Sequence, residues 1–188
     1  MSSSSQATLW ITLLLGVLGG CATGGAESER TRQVQWMLTG RVVHVEDGDT
    51  LTVLSDQGKS VVRLSDYDSP EIGHGPDRPG QRFGQDAKRS LAEFAPIESE
   101  CRLECYELDR YERSICHVFV LGRNVNLEQL RRGWGMTPRK REWIRSSDSI
   151  VVEQEARAEG RGLWAAATLV HPEDWRRRCW GARQCPAE

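Results

Sequence analysis

Nine residues, RLSDYDSPE from Arg63 to Glu71, hold one guanidinium and three carboxylates, and EDGDT, from Glu46 to Thr50, adds an acidic turn upstream. By strand alternation Asp49 shares the parity of Leu51 and Val53, so it faces inward while Thr50 and Thr52 face the other way. An inward carboxylate at the mouth of a strand is costly unless something neutralises it. Where strands of a small barrel meet, Asp68 and Glu71 can be brought beside Asp49, and carboxylates crowded in this way favour a hard divalent cation held by oxygen. Calcium suits a set of carboxylates, a backbone carbonyl and water, and Pro70 fixes the turn that would hold the carbonyl of Ser69. Arg63 and Arg113, the latter just past the turn LDRYER, are guanidinia that can reach the same pocket. Such a set suits phosphodiester hydrolysis. The cation polarises a phosphoryl oxygen, the planar guanidinia meet the phosphate oxygens as negative charge builds, and a carboxylate not committed to metal orients or deprotonates water.

The elements that must position these residues follow from periodicity. MLTGRVVHVEDGDTLTVLSDQGKSVVRLSDYD alternates apolar and polar residues and is broken at DG and QG, which predicts a meander over Thr39–Val45, Thr50–Leu54 and Ser60–Leu64. GQDAKRSLAEFA, Gly84 to Ala95, places Ala87, Leu91 and Phe94 at helical spacing. CRLECYELDRYERSICHVFV predicts two strands around a turn near Asp109 and Arg110. NVNLEQLRRGWG predicts a second helix with Leu127 and Leu130 inward and Gly133 as its stop, and SIVVEQEARAEGRGLW, Ser149 to Trp164, a third. This element order predicts an α+β fold, a five-stranded OB-type β-barrel with about three packed α-helices. The domain is expected over residues 36–168, followed by a cysteine-containing C-terminal extension over 169–188.

The 188 residues and 38% hydrophobic content suffice for one core, and a formal charge of -2 excludes whole-molecule attraction of polyanions. Binding of nucleic acid must therefore be local. Arg131, Arg132, Arg139, Lys140, Arg141 and Arg145 form a candidate basic patch, and DWRRRCWGARQC either extends it or braces the C-terminus. His74, in the glycine- and proline-rich loop GHGPDRPGQRFG, is a further candidate acid or base beside the cleft.

The apolar run from Leu9 to Leu18 is too short to span a bilayer as a helix and fits a secretory signal over residues 1–21. Leu18, Gly19, Gly20 and Cys21 are similar to a bacterial lipobox, which implies cleavage before Cys21 and lipid attachment there, with a flexible tether over 22–35. The expected location is exported: anchored through that lipid to a bacterial envelope membrane, or else periplasmic or secreted. Five cysteines remain after Cys21. Cys179 and Cys185 enclose a short loop and are expected to pair, and Cys116 pairs with Cys105 or Cys101. No protein partner is implied, and a monomer is expected.

VEDGDTLTV, VRLSDYDSPE, DRYER and VNLEQLRRGWG, in this order, resemble the thermonuclease (staphylococcal nuclease-like) family, and EARAEGRGLW is similar to its last helix, with Trp164 in the tryptophan position. The resemblance covers roughly Thr39 to Trp164. It implies an OB barrel with three helices and calcium-dependent cleavage of DNA and RNA phosphodiesters. It also implies that Asp49 and Asp68 are metal carboxylates, that Ser69 offers its carbonyl, that Arg63 and Arg113 are catalytic, and that Glu71 handles the attacking water. Arg110 and Tyr111 match positions near the nucleotide phosphate. Two departures stand out. Glu112 replaces the family's usual glycine, and TPRKREWIR lacks the tyrosines that stack the base, where Trp143 is a candidate substitute. The expected function is an exported calcium-dependent nuclease acting on DNA and/or RNA. The alternative is a catalytically weak or silent nuclease-like envelope lipoprotein that binds nucleic acid.

Overall fold

The computed structural model describes residues 33–187, so the signal segment, Cys21 and most of the tether lie outside the described residues. Six strands form one sheet: β1 (Trp36–Val45), β2 (Thr50–Ser55), β3 (Gly58–Leu64), β4 (Glu100–Leu108), β5 (Ser114–Val120) and the two-residue β6 (Arg123–Asn124). Their order is β3-β2-β1-β4-β5-β6, and a parallel pairing of β3 with β5 closes the first five into a barrel. A register shift between Val42 and His44 bends β1, whose first half pairs with β4 and whose second half pairs with β2. Among the described residues there are four helices, α1 (Gly84–Phe94), α2 (Val125–Arg131), α3 (Asp148–Ala158) and the short α4 (Pro172–Trp175), which runs into a π-helical turn over Arg176–Gly181.

The inward residues of the strands form the core. Val42, Leu51, Val53, Val62, Leu64, Leu103 and Val118 are buried, with Leu91 of α1 and Leu130 of α2 packed against them. A fully buried leucine of this kind contributes about 1.5–3 kcal/mol. Asn126 fastens α2 to the barrel: its amide donates to the carbonyls of Ser65 and Cys116 and accepts from Val118 N–H. Disulfides join Cys105 to Cys116 across β4 and β5, and Cys179 to Cys185 at the C-terminus. Cys101 is a buried free thiol, its pKa pushed up to about 11 by burial.

The third helix is shorter than the sequence pattern predicts. It ends at Ala158, and Leu163 and Trp164 belong to a separate 3-10 turn, Gly162–Ala165. Gly162 has φ +56°, and a Cβ there would lie 2.4 Å from the carbonyl oxygen of Gly133. The chain breaks at this point because only glycine permits both the left-handed turn and the contact with the end of α2.

Candidate active site

Asp49 and Asp68 meet through Arg63. The guanidinium on β3 donates from Nη1 to Asp49 Oδ1 at 2.7 Å and from Nη2 to Asp68 Oδ1 at 2.6 Å. Both carboxylates are buried, as the inward parity of Asp49 predicts. The backbone fixes each of them. Asp49 C=O accepts from Leu64 N–H at 2.8 Å, and Asp68 exchanges two hydrogen bonds with Met136, at 2.7 and 2.9 Å. Gly48 packs so closely that a Cβ would sit 2.7 Å from Ser69 Cβ and 2.6 Å from Ala87 Cβ. The glycine of the DG turn thus lets Ser69 approach Asp49.

Ser69 uses that approach fully. Its N–H and hydroxyl both donate to Asp49 Oδ2, at 3.0 and 3.1 Å. Thr50, buried rather than turned outward, donates to Asp49 Oδ1 at 2.9 Å and links the cluster to Arg113, whose Nη1 lies 3.5 Å from its hydroxyl. Arg113 is oriented by its own turn, with Nε donating to Asp109 Oδ2 at 2.8 Å while Asp109 also accepts the N–H groups of Tyr111 and Arg113. Glu112 stands in this turn at φ +61°, a left-handed conformation natural for glycine, and its side chain is exposed. Arg110 and Tyr111 are exposed at the tip, with the Arg110 guanidinium 4.7 Å from the Tyr111 ring centroid and donating to its hydroxyl at 2.7 Å.

Glu71 reaches the same cluster through Arg176, a residue that the sequence patterns did not single out. Arg176 places Nη1 and Nη2 on Asp68 Oδ1 and Oδ2, each at 2.9 Å, and Nη1 also donates to Glu71 Oε1. The three consecutive arginines Arg176, Arg177 and Arg178, just before the loop closed by the Cys179–Cys185 disulfide, are the available signal. His171 also borders Asp68, with Nδ1 4.0 Å from Oδ2.

Burial works against every charge here, and the partners decide the outcome. Burial alone would raise Asp49, but Arg63, the Ser69 N–H and Thr50 hold it below the usual carboxylate range. Burial and then the charge of Asp49 push Asp47 up to about 7. Glu71 is pushed to about 7 by burial first and Asp49 second, against the pull of Arg176. Burial would also lower Arg63, yet Asp49 and Asp68 hold its pKa above the ordinary guanidinium value. The cluster therefore holds one carboxylate kept ionised, Asp49, two that exchange protons near neutrality, Asp47 and Glu71, and an Arg63 guanidinium that stays charged.

No three His, Cys, Asp or Glu side chains converge as a ready-made metal cage among the described residues. The donor set that remains is two buried carboxylates beside Ser69, all hard oxygen, which fits calcium or magnesium and not a thiolate- or imidazole-seeking metal.

Other candidates fall elsewhere. Asp66, the remaining carboxylate of RLSDYDSPE, turns away at φ +61° and accepts Arg145 N–H, Ser146 N–H and the hydroxyls of Ser65 and Ser149. It anchors the start of α3. In the basic run, Arg131 pairs with Glu128, Arg132 with Glu93, Arg139 with Asp174 and Arg145 with Glu107, so four of the six cations are already matched by acids. Trp143 is half exposed under Lys140 Nζ, 4.5 Å from the ring centroid, and His74 packs edge-on against Trp180. A surface concavity of about 1010 Å³ is lined by Arg41, Leu54, Glu98 and Phe119 at a different part of the barrel and shares no residue with this cluster.

The chain matches the family described as "Staphylococcal nuclease homologue" over residues 61–166, more than half its length. It is 35% identical over 141 residues to an uncharacterized endonuclease of Haemophilus influenzae, an alignment covering 74% of each chain. It is 33% identical to Protein ParB of Escherichia coli over 74% of this chain and 80% of that one, and 31% identical to a micrococcal nuclease of Shigella flexneri over 73% and 80%. Arg63, Asp68, Ser69, Glu71 and Arg113 lie inside the matched span, whereas Asp49 precedes it and Arg176 follows it. With a closed barrel and this cluster at its rim, the chain belongs to the staphylococcal nuclease homologue family of nucleases.

Proposed function

We propose that this chain is an exported, calcium-dependent nuclease that hydrolyses phosphodiester bonds of DNA and/or RNA. The observation that carries the proposal is the bridge of Arg63 between Asp49 and Asp68, with Thr50 linking the same cluster to Arg113. These contacts draw together Asp49, Thr50, Arg63, Asp68 and Arg113 from three parts of the chain. Asp49, Asp68 and the carbonyl of Ser69 would hold the cation. Bound there, calcium would offset the charge of a phosphodiester and polarise its phosphoryl oxygen.

The residues of the chain account for the remaining steps. Arg63 commits two of its five N–H donors to Asp49 and Asp68, so donors remain for a phosphate oxygen. Arg113 is oriented by Asp109 and supplies a second guanidinium from the opposite turn. Each gains strength as negative charge grows on the phosphorus-bound oxygens. Glu71, with its proton affinity raised toward neutrality, is matched to take a proton from water. Arg110 and Tyr111, exposed beside Arg113, would meet the nucleotide's phosphate.

Export is supported by the leader sequence and by two disulfides, which persist in oxidising compartments. Lipid on Cys21 would tether the domain to an envelope membrane. The proposed state is a monomer. The deciding assay incubates the chain from residue 22 onward with DNA and with RNA, in calcium and in excess chelator. Cleavage in calcium that stops in chelator is expected, and undiminished cleavage in chelator refutes the cation site.

A further inference from the structure

We propose that Arg176 is a built-in competitor of the divalent cation, occupying its place on Asp68 while also pairing with Glu71, until the cation displaces it, an inference that rests on the cation site assigned above. Residues 170–181 are fastened against the site by several contacts. Gln81 Nε2 donates to the carbonyl of Val170 at 2.5 Å, and the indole N–H groups of Trp175 and Trp180 both donate to the carbonyl of Pro79, at 3.2 and 2.9 Å. Asp174 pairs with Arg139, and Cys179 is buried in its disulfide with Cys185. The backbone that carries Arg176 is therefore held in place, and the guanidinium it delivers is specific in its geometry.

That geometry leaves no room for a metal on Asp68. Oδ1 accepts from both Arg63 and Arg176, and Oδ2 accepts from Arg176, at 2.6 to 2.9 Å. A calcium ion needs the same lone pairs at about 2.3–2.6 Å, and a planar guanidinium laid across both oxygens excludes it. Arg176 also donates to Glu71, so one cation from the C-terminal segment neutralises both acids on that side. Arg176 makes no hydrogen bond to Asp49, whose Oδ1 accepts from Arg63 and Thr50 and whose Oδ2 accepts from Ser69. The side chain of Arg176 is 33% exposed and can swing outward on its own rotatable bonds without moving the backbone. A cation that must first displace it binds with an apparent affinity reduced by the fraction of molecules in which Arg176 is already released.

The test is calorimetric titration of calcium alone into the full chain from residue 22 onward, without nucleic acid. Arg176→Ala is expected to tighten calcium binding about tenfold or more, the factor set by a latched fraction near nine-tenths. Arg176→Lys keeps the charge but loses the fork, and is expected to fall between the parent and Arg176→Ala. It also carries the test if the alanine variant fails to fold. Arg177→Ala removes a positive charge from the neighbouring exposed position, paired with Asp174 and away from Asp68, and is expected to change the affinity less than about threefold. Arg176 variants that bind calcium no more tightly than the parent overturn the competition, as does an Arg177→Ala effect of equal size. Asp68→Asn separates the two levels. Loss of binding in that variant with unchanged binding in the Arg176 variants leaves the cation site standing and sinks the competitor. Parent-like calcium binding by Asp68→Asn, or no binding in any chain, sinks both.

Discussion

Asp66→Asn is expected to lower stability by about 3–5 kcal/mol while leaving the nuclease cluster assembled. In the folded chain one oxygen of Asp66 accepts Arg145 N–H at 2.7 Å and the Ser65 hydroxyl at 2.8 Å. The other accepts Ser146 N–H at 2.8 Å, the Ser149 hydroxyl at 3.0 Å and His117 Nε2 at 3.3 Å. An amide replaces one oxygen with a donor, so whichever way it is turned it faces a buried backbone N–H with nothing to offer. The serine hydroxyls can rotate, but the N–H cannot. One orphaned donor costs about 1–3 kcal/mol, and the loss of charge from the surviving bonds, each charge-assisted, adds about 2 kcal/mol. For a domain of this size the sum corresponds to a fall in Tm of about 6–20 °C. The pH dependence gives the prediction a second edge. Burial would raise Asp66, but the hydrogen bonds and charge of His117, with the backbone N–H groups, hold it below its ordinary value. A carboxylate depressed by folding stabilises fully above its unfolded pKa of about 3.9 and loses that contribution as pH falls through the folded value. The gap between parent and Asp66→Asn should therefore be widest near neutrality and close in acid. The assay is thermal and urea unfolding by circular dichroism from pH 7 to pH 3. A Tm within about 2 °C of the parent at pH 7, or a gap that widens in acid, refutes the assignment.

Two further outcomes follow from the site. Glu71→Gln should reduce kcat by about 10²–10⁴ without lowering Tm, and should remove the rise of kcat/KM expected as pH climbs through about 7, where burial and Asp49 place the Glu71 proton. In the parent that rise should shift to lower pH as calcium is raised, because a cation offsets the charge of Asp49, and a pH-independent parent would exclude Glu71 as the base. Glu112→Gly relieves a left-handed conformation worth about 1–2 kcal/mol but frees the unfolded chain by about 0.5–1 kcal/mol, so stability should rise by less than about 1.5 kcal/mol. The same change removes a negative charge one residue from Arg113 and should lower KM for DNA in gel or fluorescence assays. A higher KM would show that Glu112 helps to position the turn.

The barrel is legible because its strands alternate apolar and polar residues over most of their length, and the same alternation places Asp49 inside. A carboxylate sharing the parity of Leu51 and Val53 has to be buried once those residues are, whatever it binds. Thr50 was harder to place. It sits where β2 leaves the turn, and its burial comes from Arg113 and Asp49 closing over it, which parity along one strand does not express. The left-handed Glu112 was visible only as a residue in a glycine's usual place. The basic run from Arg131 to Arg145 was misleading for a related reason. Its acids come from α1, β4, α4 and within α2, so the chain segment alone hid the partners that neutralise it. Arg176 was least accessible of all, since it meets Glu71 across a separation of 105 residues and belongs to no repeating pattern.

The nine residues from Arg63 to Glu71 concentrate charge because they serve two sites facing opposite ways. A left-handed residue at Asp66, two residues past the end of β3, redirects the chain, so that Asp66 turns toward α3 while Asp68, two residues later, turns toward Arg63 and the rim. Each carboxylate is satisfied by a different part of the chain. Asp66 takes backbone N–H groups that never leave it, which makes it a fixed anchor. Asp68 takes guanidinia on side chains that can move, which makes it exchangeable. A carboxylate held by backbone donors stabilises the fold and offers no free lone pair, whereas one held by mobile cations can trade a guanidinium for a metal ion. The two backbone hydrogen bonds of the isolated bridge between Asp68 and Met136 fix Asp68 in the backbone, so that exchange at its oxygens proceeds without disturbing the anchor two residues away.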